Sequence, residues 1–337
     1  MKKNILFSMD YMYGCREEIE KEFNQRFNNV RFIDHYLPPR KNRSFLFKIL
    51  RELNKKKFFS FFIKKHLDKI IRDYYLNNVL SFSEKIDYFF VIAGQEFSRE
   101  FIQDVREKNP GVVCLIYLWD KLEHTTLKNI VYEFDYIFSF DREDCKNYGF
   151  IFRPFFFLKN FGKKILYENR KYDISYIGAL RDYKRYKFIE TIYKLSNMYN
   201  LKNFIFLIKD KKVKFLDLKD NSFISDTRIS PDKNLDILKE SRIICEIPFD
   251  NQVGLTLRAL QSLYFENKII TTNQDFKNYK FYNEKNIKIV DSLEEIYEID
   301  KSFFIDRYEK VETNIIDEYT AETFVKTIFD MLEGIDR

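Results

Sequence analysis

The sequence predicts a doubly wound α/β protein built as two halves, and three observations carry that expectation. Short apolar runs alternate with amphipathic stretches along most of the chain. The runs are continuously apolar, as strands are when a parallel sheet is covered on both faces. The alternation breaks at the polar stretch LKNFGKKILYENRK (158–171) and then restarts. With 337 residues the chain exceeds what one hydrophobic core usually serves. Residues 1–157 therefore read as a first domain, 158–171 as a linker, 172–305 as a second domain and 306–337 as a helical tail.

Taken in order, residues 5–8 read as the first strand, followed by the loop MDYMYGC and the helix REEIEKEFNQRF, whose apolar spacing is helical. Residues 44–81, rich in Phe and Leu with interleaved Lys, read as mostly helical. KIDYFFVIAG (85–94) is a buried strand ending at Gly94, and Ser98 can N-cap the amphipathic SREFIQDVREKN. GVVCLIYLWD (111–120) and FDYIFSFD (134–141) are the next strands. Asp141 then caps a short helix stopping at Gly149, and FIFRPFFF continues as a strand or extended segment. In the second half YDISYIGAL (172–180) and FIFLIKD are strands around the helix KRYKFIETIYKLSNMY. SPDKNLDILKES is a helix with Ser230 as N-cap and Pro231 at its first position. RIICEIP, KIITTN and NIKIV are further strands, and DEYTAETFVKTIFDMLEGI is an amphipathic closing helix.

Composition narrows the function. Apolar residues are 45% and charged residues 33%, which excludes a disordered chain. A net charge of +6 suits anionic substrates or a membrane surface and argues only weakly for nucleic acid, so no nucleic-acid partner is expected. Cys15, Cys114, Cys145 and Cys245 are far apart and form no CxxC pair, which points to a reducing compartment and no structural zinc. The N-terminal apolar run is too short for a signal peptide, and no stretch reaches the length of a membrane span. A cytoplasmic protein, at most at the inner face of the membrane, is the expectation. Dinucleotide, P-loop, zincin and hydrolase motifs (GxGxxG, GxxxxGK[ST], HExxH, GxSxG) are all missing. Neither a metal nor a resident cofactor is expected.

In such folds ligands bind beyond the carboxyl ends of the strands. In IGALRDYKRYKF a strand reaches Gly178 and a loop with Arg181, Lys184 and Arg185 opens a helix. Free N–H groups at a helix start, with cations beside them, suit a diphosphate. The plain alternative is a solvated basic turn. In DNQVGLTLRALQSLYFENKIITTN (250–273) the leucines form a core stripe, while Arg258 and Gln261, three apart, share another face. Gly254 allows close backbone approach, and Thr256 can cap the helix or touch phosphate. Against this stands a simple local ion pair for Arg258. In YLWDKLEHT, Trp119, Asp120, Glu123 and His124 cluster at a strand end, where a carboxylate or imidazole could take a proton from a hydroxyl. Asp120 could equally cap a helix. Glu96, Asp10 and Tyr11 stand at equivalent strand ends, whereas His35 and His66 read as solvated. Residues 55–72 alternate basic and aromatic clusters: Phe58, Phe59, Phe61 and Phe62 either fill the core or enter a bilayer interface flanked by lysines.

The segment 251–273 resembles the C-terminal motif of bacterial GT-B glycosyltransferases, in particular the CgeB-like and capsule or lipopolysaccharide biosynthesis group. YLWD, YIFSFDREDCKNYG with FRPFFF, YDISYIGALRDYKRYKF and NYKFYNEKNIKIV resemble that group in the same order, spanning about residues 85–290. The resemblance implies two Rossmann-like domains facing across a cleft, with the C-terminal helix crossing back to the first domain. It implies a nucleotide-sugar donor held mainly by the second domain, at Gly178, Arg181, Lys184, Arg185, Gln252, Gly254, Leu255, Thr256, Arg258 and Gln261. A lipid-linked or polysaccharide acceptor would lie on the first. If transfer inverts configuration, Asp120 is the leading base ahead of Glu96, Asp10 and His124; if it retains configuration, no dedicated base is required. Transfer in this group needs no bound metal. The chain departs from the group at Gln261, where the relatives carry a glutamate that binds donor ribose hydroxyls. An amide can still bond a hydroxyl, but as a neutral and weaker acceptor.

Overall fold

The computed structural model describes residues 2–9, 14–34, 44–55, 60–78, 84–93, 97–159, 162–209, 222–248 and 252–334. The chain divides into two compact units, Met1–Arg153 and Pro154–Arg337. Each is an α/β unit around one six-stranded sheet.

In the first unit the strands are β1 (Asn4–Met9), β2 (Asn29–Asp34), β3 (Tyr88–Ile92), β4 (Val113–Leu118), β5 (Tyr136–Ser139) and β6 (Ile151–Phe152). They lie in the order β2-β1-β3-β4-β5-β6, every pair parallel. All five residues of β3 are buried, which is why its run carries no polar alternation. Edge strand β2 was not legible in the sequence, because with only β1 beside it NVRFID needs no continuous apolar run. Phenylalanines fill the core: Phe7 meets Phe23 edge-to-face at 5.1 Å, and Phe89 contacts Phe97, Phe101 and Phe134. Ser98 accepts from the Phe101 amide, and Asp141 from the amides of Glu143 and Asp144, so both predicted caps are formed. Gly149 ends that second helix at φ 72°, a left-handed conformation that favours glycine.

The second unit contains β7 (Tyr172–Leu180), β8 (Asn203–Lys209), β9 (Ile224–Ser225), β10 (Ser241–Glu246), β11 (Lys268–Thr271) and β12 (Ile287–Ile289). Their spatial order is β12-β11-β10-β7-β8-β9, again wholly parallel. Read outward in chain order, this is the 3-2-1-4-5-6 arrangement of a Rossmann sheet, with its reversal between β7 and β10. Ser230 caps the helix Pro231–Lys239 by accepting from the Lys233 amide. The stretch read as a linker carries a structural arginine. Arg170 donates to the carbonyls of Ile165, Ser241, Phe265 and Glu266, tying the entry of β7 to the start of β10 and the end of the helix Leu257–Phe265. The closing helix Ala321–Glu333 packs Phe324 against Phe155 and Phe156 of the same unit. Among the described residues no helix is long and apolar enough to cross a membrane. All four cysteines are free thiols.

Candidate functional site

The reversal of strand order puts the carboxyl ends of β7 and β10 side by side, with β11 and β12 beyond β10. Asp182, directly after β7, accepts from the Arg185 amide at 2.7 Å and so starts the helix Tyr183–Met198. Beside this helix start is a cavity of about 320 Å³. Lys184 and Arg185 line it from the helix, Pro248 and Gln252 from the segment after β10, and Asn273 and Asp275 from the turn after β11. Lys184 is exposed and makes no ion pair among the described residues. Three of the expected donor-binding residues, Lys184, Arg185 and Gln252, are thus gathered here.

Arg185 differs from the expectation of a phosphate-facing cation. It is buried, and its guanidinium donates to the carbonyls of Ala179 (3.4 Å), Ile247 (3.3 Å) and Pro248 (2.9 Å). It therefore staples the ends of β7 and β10 where the sheet reverses. Gly178 also has a packing reason: a Cβ there would stand 2.3 Å from the Tyr176 hydroxyl, since residues two apart share a strand face. Arg181 is exposed just after β7 and does not line the cavity.

The remaining expected residues belong to the loop and helix after β10. Thr256 is the N-cap of Leu257–Phe265, accepting from the Ala259 amide at 3.2 Å. Gly254 offers its carbonyl to Asn273 Nδ2, and Leu255 is core. Asn273 in turn accepts from the Asp275 amide and donates its own amide to Thr271 Oγ1. These bonds fix the loop bearing Gln252 against the turn bearing Asp275. Arg258 is half-buried beside Ser175, Ile177 and Cys245, and its guanidinium makes no hydrogen bond among the described residues. Burial pulls its pKa down, against the opposing charges of Tyr176 and Glu246.

Gln261 corrects the reading of a two-faced helix. Ala259, Leu260, Gln261, Ser262, Leu263 and Phe265 are all buried, so the helix is enclosed on more than one face. Gln261 is only 4% exposed, and neither its Oε1 nor its Nε2 has a hydrogen-bond partner among the described residues. Near the same strand ends lies Glu246, absent from the sequence reading and 2% exposed. Its Oε2 accepts from Thr271 Oγ1 at 2.9 Å while Oε1 has no partner among the described residues. Burial holds this carboxyl above the usual range, against bonds to Thr271 and Thr256 and the charges of Arg258 and Arg185. A polar residue closing the apolar run RIICE was the available signal for it.

In the first unit Asp120 is half-exposed at the end of β4 and does not cap the turn Leu122–His124, whose N-cap is Lys121. His124 is exposed, its Nε2 3.6 Å from Glu123 Oε1. Lys121, buried, pairs with Glu143 at 2.7 Å. Although burial lowers its pKa, that bond and the charges of Glu143, Asp141 and Glu123 carry it above the ordinary value. Asp10, Tyr11, His35 and Glu96 lie outside the described residues.

No protein-family description matches the chain, and no curated protein matches its sequence. Among solved structures it is similar to the lipopolysaccharide outer core galactosyltransferase WaaB in its apo form. The TM-score is 0.52 at 8% identity, over 98% of this chain and 99% of that one. At this identity the likeness is one of fold, and it matches the two-domain α/β architecture of GT-B type.

Proposed function

We propose that the protein is a glycosyltransferase that moves a sugar from a nucleotide-sugar donor to a hydroxyl of a growing lipopolysaccharide or surface-polysaccharide acceptor. The observation that carries this reading is the cavity at the reversal of the second sheet, where a helix start, Lys184 and the Gln252 loop converge under a GT-B-type fold. The motif order supports the narrower grouping with the CgeB-like enzymes. The donor diphosphate leaves as an anion, and exposed Lys184 with the N–H groups of the helix start opposes that charge without a bound metal. Arg258 adds a cation whose guanidinium hydrogen-bonds no described residue. In an inverting transfer Asp120 takes the proton of the attacking hydroxyl, ahead of His124, Glu96 and Asp10.

The test is a thermal-shift panel of UDP-, GDP-, CMP- and dTDP-sugars. A donor at 100 times its Kd adds about 2.7 kcal/mol, which raises Tm by roughly 5–10 °C for a unit of this size. Lys184→Ala and Arg258→Ala should each cut the shift at least by half. No shift with any donor at millimolar concentration would sink the reading. A shift with oligonucleotide alone, fading steeply with salt, would turn it into a polyanion-binding module instead.

A further inference from the structure

We infer that the helix Phe45–Lys55 of the first unit is a docking surface for an anionic phospholipid bilayer. Phe45, Ile49 and Leu53 recur every four residues with Leu46 beside Phe45, so the four fall on about a third of the helix circumference. All four face solvent: Phe45 is 79% exposed, Leu46 54%, Ile49 40% and Leu53 41%. Phe47, on the opposite side, is buried at 3%. The following helix, Ser60–Asn78, holds this arrangement to the unit. Its Leu67 is buried, its Ile71 and Tyr74 pack on the core, and Arg72 forms a two-pronged bond with Asp104 at 2.7 and 2.9 Å. The first helix packs against the second and leaves its Phe45 stripe outward.

Charge selects the occupant. Residues 40–72 contain twelve lysines and arginines against two carboxylates, whereas the whole chain is only +6. The rest of the chain is therefore net acidic, and the positive excess falls in the same stretch of sequence as this apolar stripe. Lys48, Lys64, Lys65 and Lys69 are exposed there. An apolar face a few residues wide, flanked by cations, matches a helix lying in the headgroup region, with lysines on lipid phosphates. The sequence reading put such a contact at residues 55–72. Of its phenylalanines, Phe58, Phe59 and the Phe61 side chain lie outside the described residues, and Phe62 is 74% exposed. The stripe on Phe45–Lys55 moves the centre of the contact one helix earlier.

The test is flotation of the 337-residue chain with vesicles of phosphatidylcholine alone or with about a third phosphatidylglycerol, at low and high salt. Wild type should float with the anionic vesicles at low salt and stay behind with neutral ones. Ile49→Asp with Leu53→Asp should lower binding at least about tenfold with Tm unchanged, because both side chains are exposed. Lys64→Glu with Lys65→Glu should lower it comparably and flatten the salt dependence. Were the aspartate pair to lower Tm, Phe45→Ser with Leu46→Ser would be read in its place. Wild type that ignores anionic vesicles, or apolar variants that float like wild type, would overturn the proposal. A dimer that these variants dissolve would assign the stripe to a second copy. Donor-induced thermal shifts should be the same in all variants, so this outcome is independent of the donor reading.

Discussion

A methyl group at Gly178 would stand 2.3 Å from the Tyr176 hydroxyl oxygen and 2.6 Å from Cζ. Tyr176 is buried and cannot swing away, so Gly178→Ala should cost about 1–3 kcal/mol by thermal melt. Tyr176→Phe removes the nearest atom but not the ring carbon, and the double variant should recover only part of the loss. Lys268 gives a pH prediction. It is 1% exposed, donates to the Phe303 carbonyl at 3.0 Å, and burial lowers its pKa to about 8. A folded pKa below the unfolded 10.5 means that folding penalises the charged form. The penalty is full below pH 8 and vanishes as pH rises to 10.5. Lys268→Met escapes it, so its stability relative to wild type should fall by roughly 3 kcal/mol from pH 7 to pH 11. A difference that does not change with pH would show that Lys268 keeps its charge in the fold. Residues of this kind were hard to read from sequence. Nothing in LRALQSLYF says that Gln261 is enclosed, because enclosure depends on what packs over the helix.

Capping and clamping decide how the elements hold together. Ser98, Asp141 and Ser230 were legible as caps because a cap is a local contract between a side-chain oxygen and an amide two or three residues on. Thr256 is another, and Thr256→Ala should cost about 1–2 kcal/mol in chemical denaturation. Arg170 was invisible as a clamp, since its partners lie up to 96 residues away. Arg170→Ala removes the donor to the Phe265 and Glu266 carbonyls at the end of the helix Leu257–Phe265, while the Ser241 carbonyl of β10 keeps Asn267 Nδ2, and should cost about 2–3 kcal/mol. Arg170→Lys should recover little, because an ammonium cannot reach in several directions as the planar fork does. Full stability of the lysine variant would show that charge alone is needed.

For the whole molecule, each unit carries its own sheet and its own core, so ligand effects should be confined to one of them. Hydrogen exchange with a binding nucleotide-sugar should protect amides at 181–185, 252–256 and 272–275, and leave Met1–Arg153 unchanged. Protection confined to the first unit would displace the candidate site. Basic charge is also a property of the whole chain that its average conceals. A value of +6 looks mild until the positive excess is found concentrated in residues 40–72 of the sequence.

The alternation of apolar runs and amphipathic stretches was enough to specify two parallel α/β units, because strand and helix periods are written into neighbouring residues. It also marked the loops after β7 and β10 as the place to look. Tertiary packing alone decided which polar side chains there are consumed in holding the fold. Arg185 and Lys184 are adjacent in sequence, equally basic and both border the cavity, yet one is buried and staples three carbonyls while the other is exposed and makes no ion pair among the described residues. That difference arises from where β10 runs beside β7, a contact between residues more than sixty positions apart.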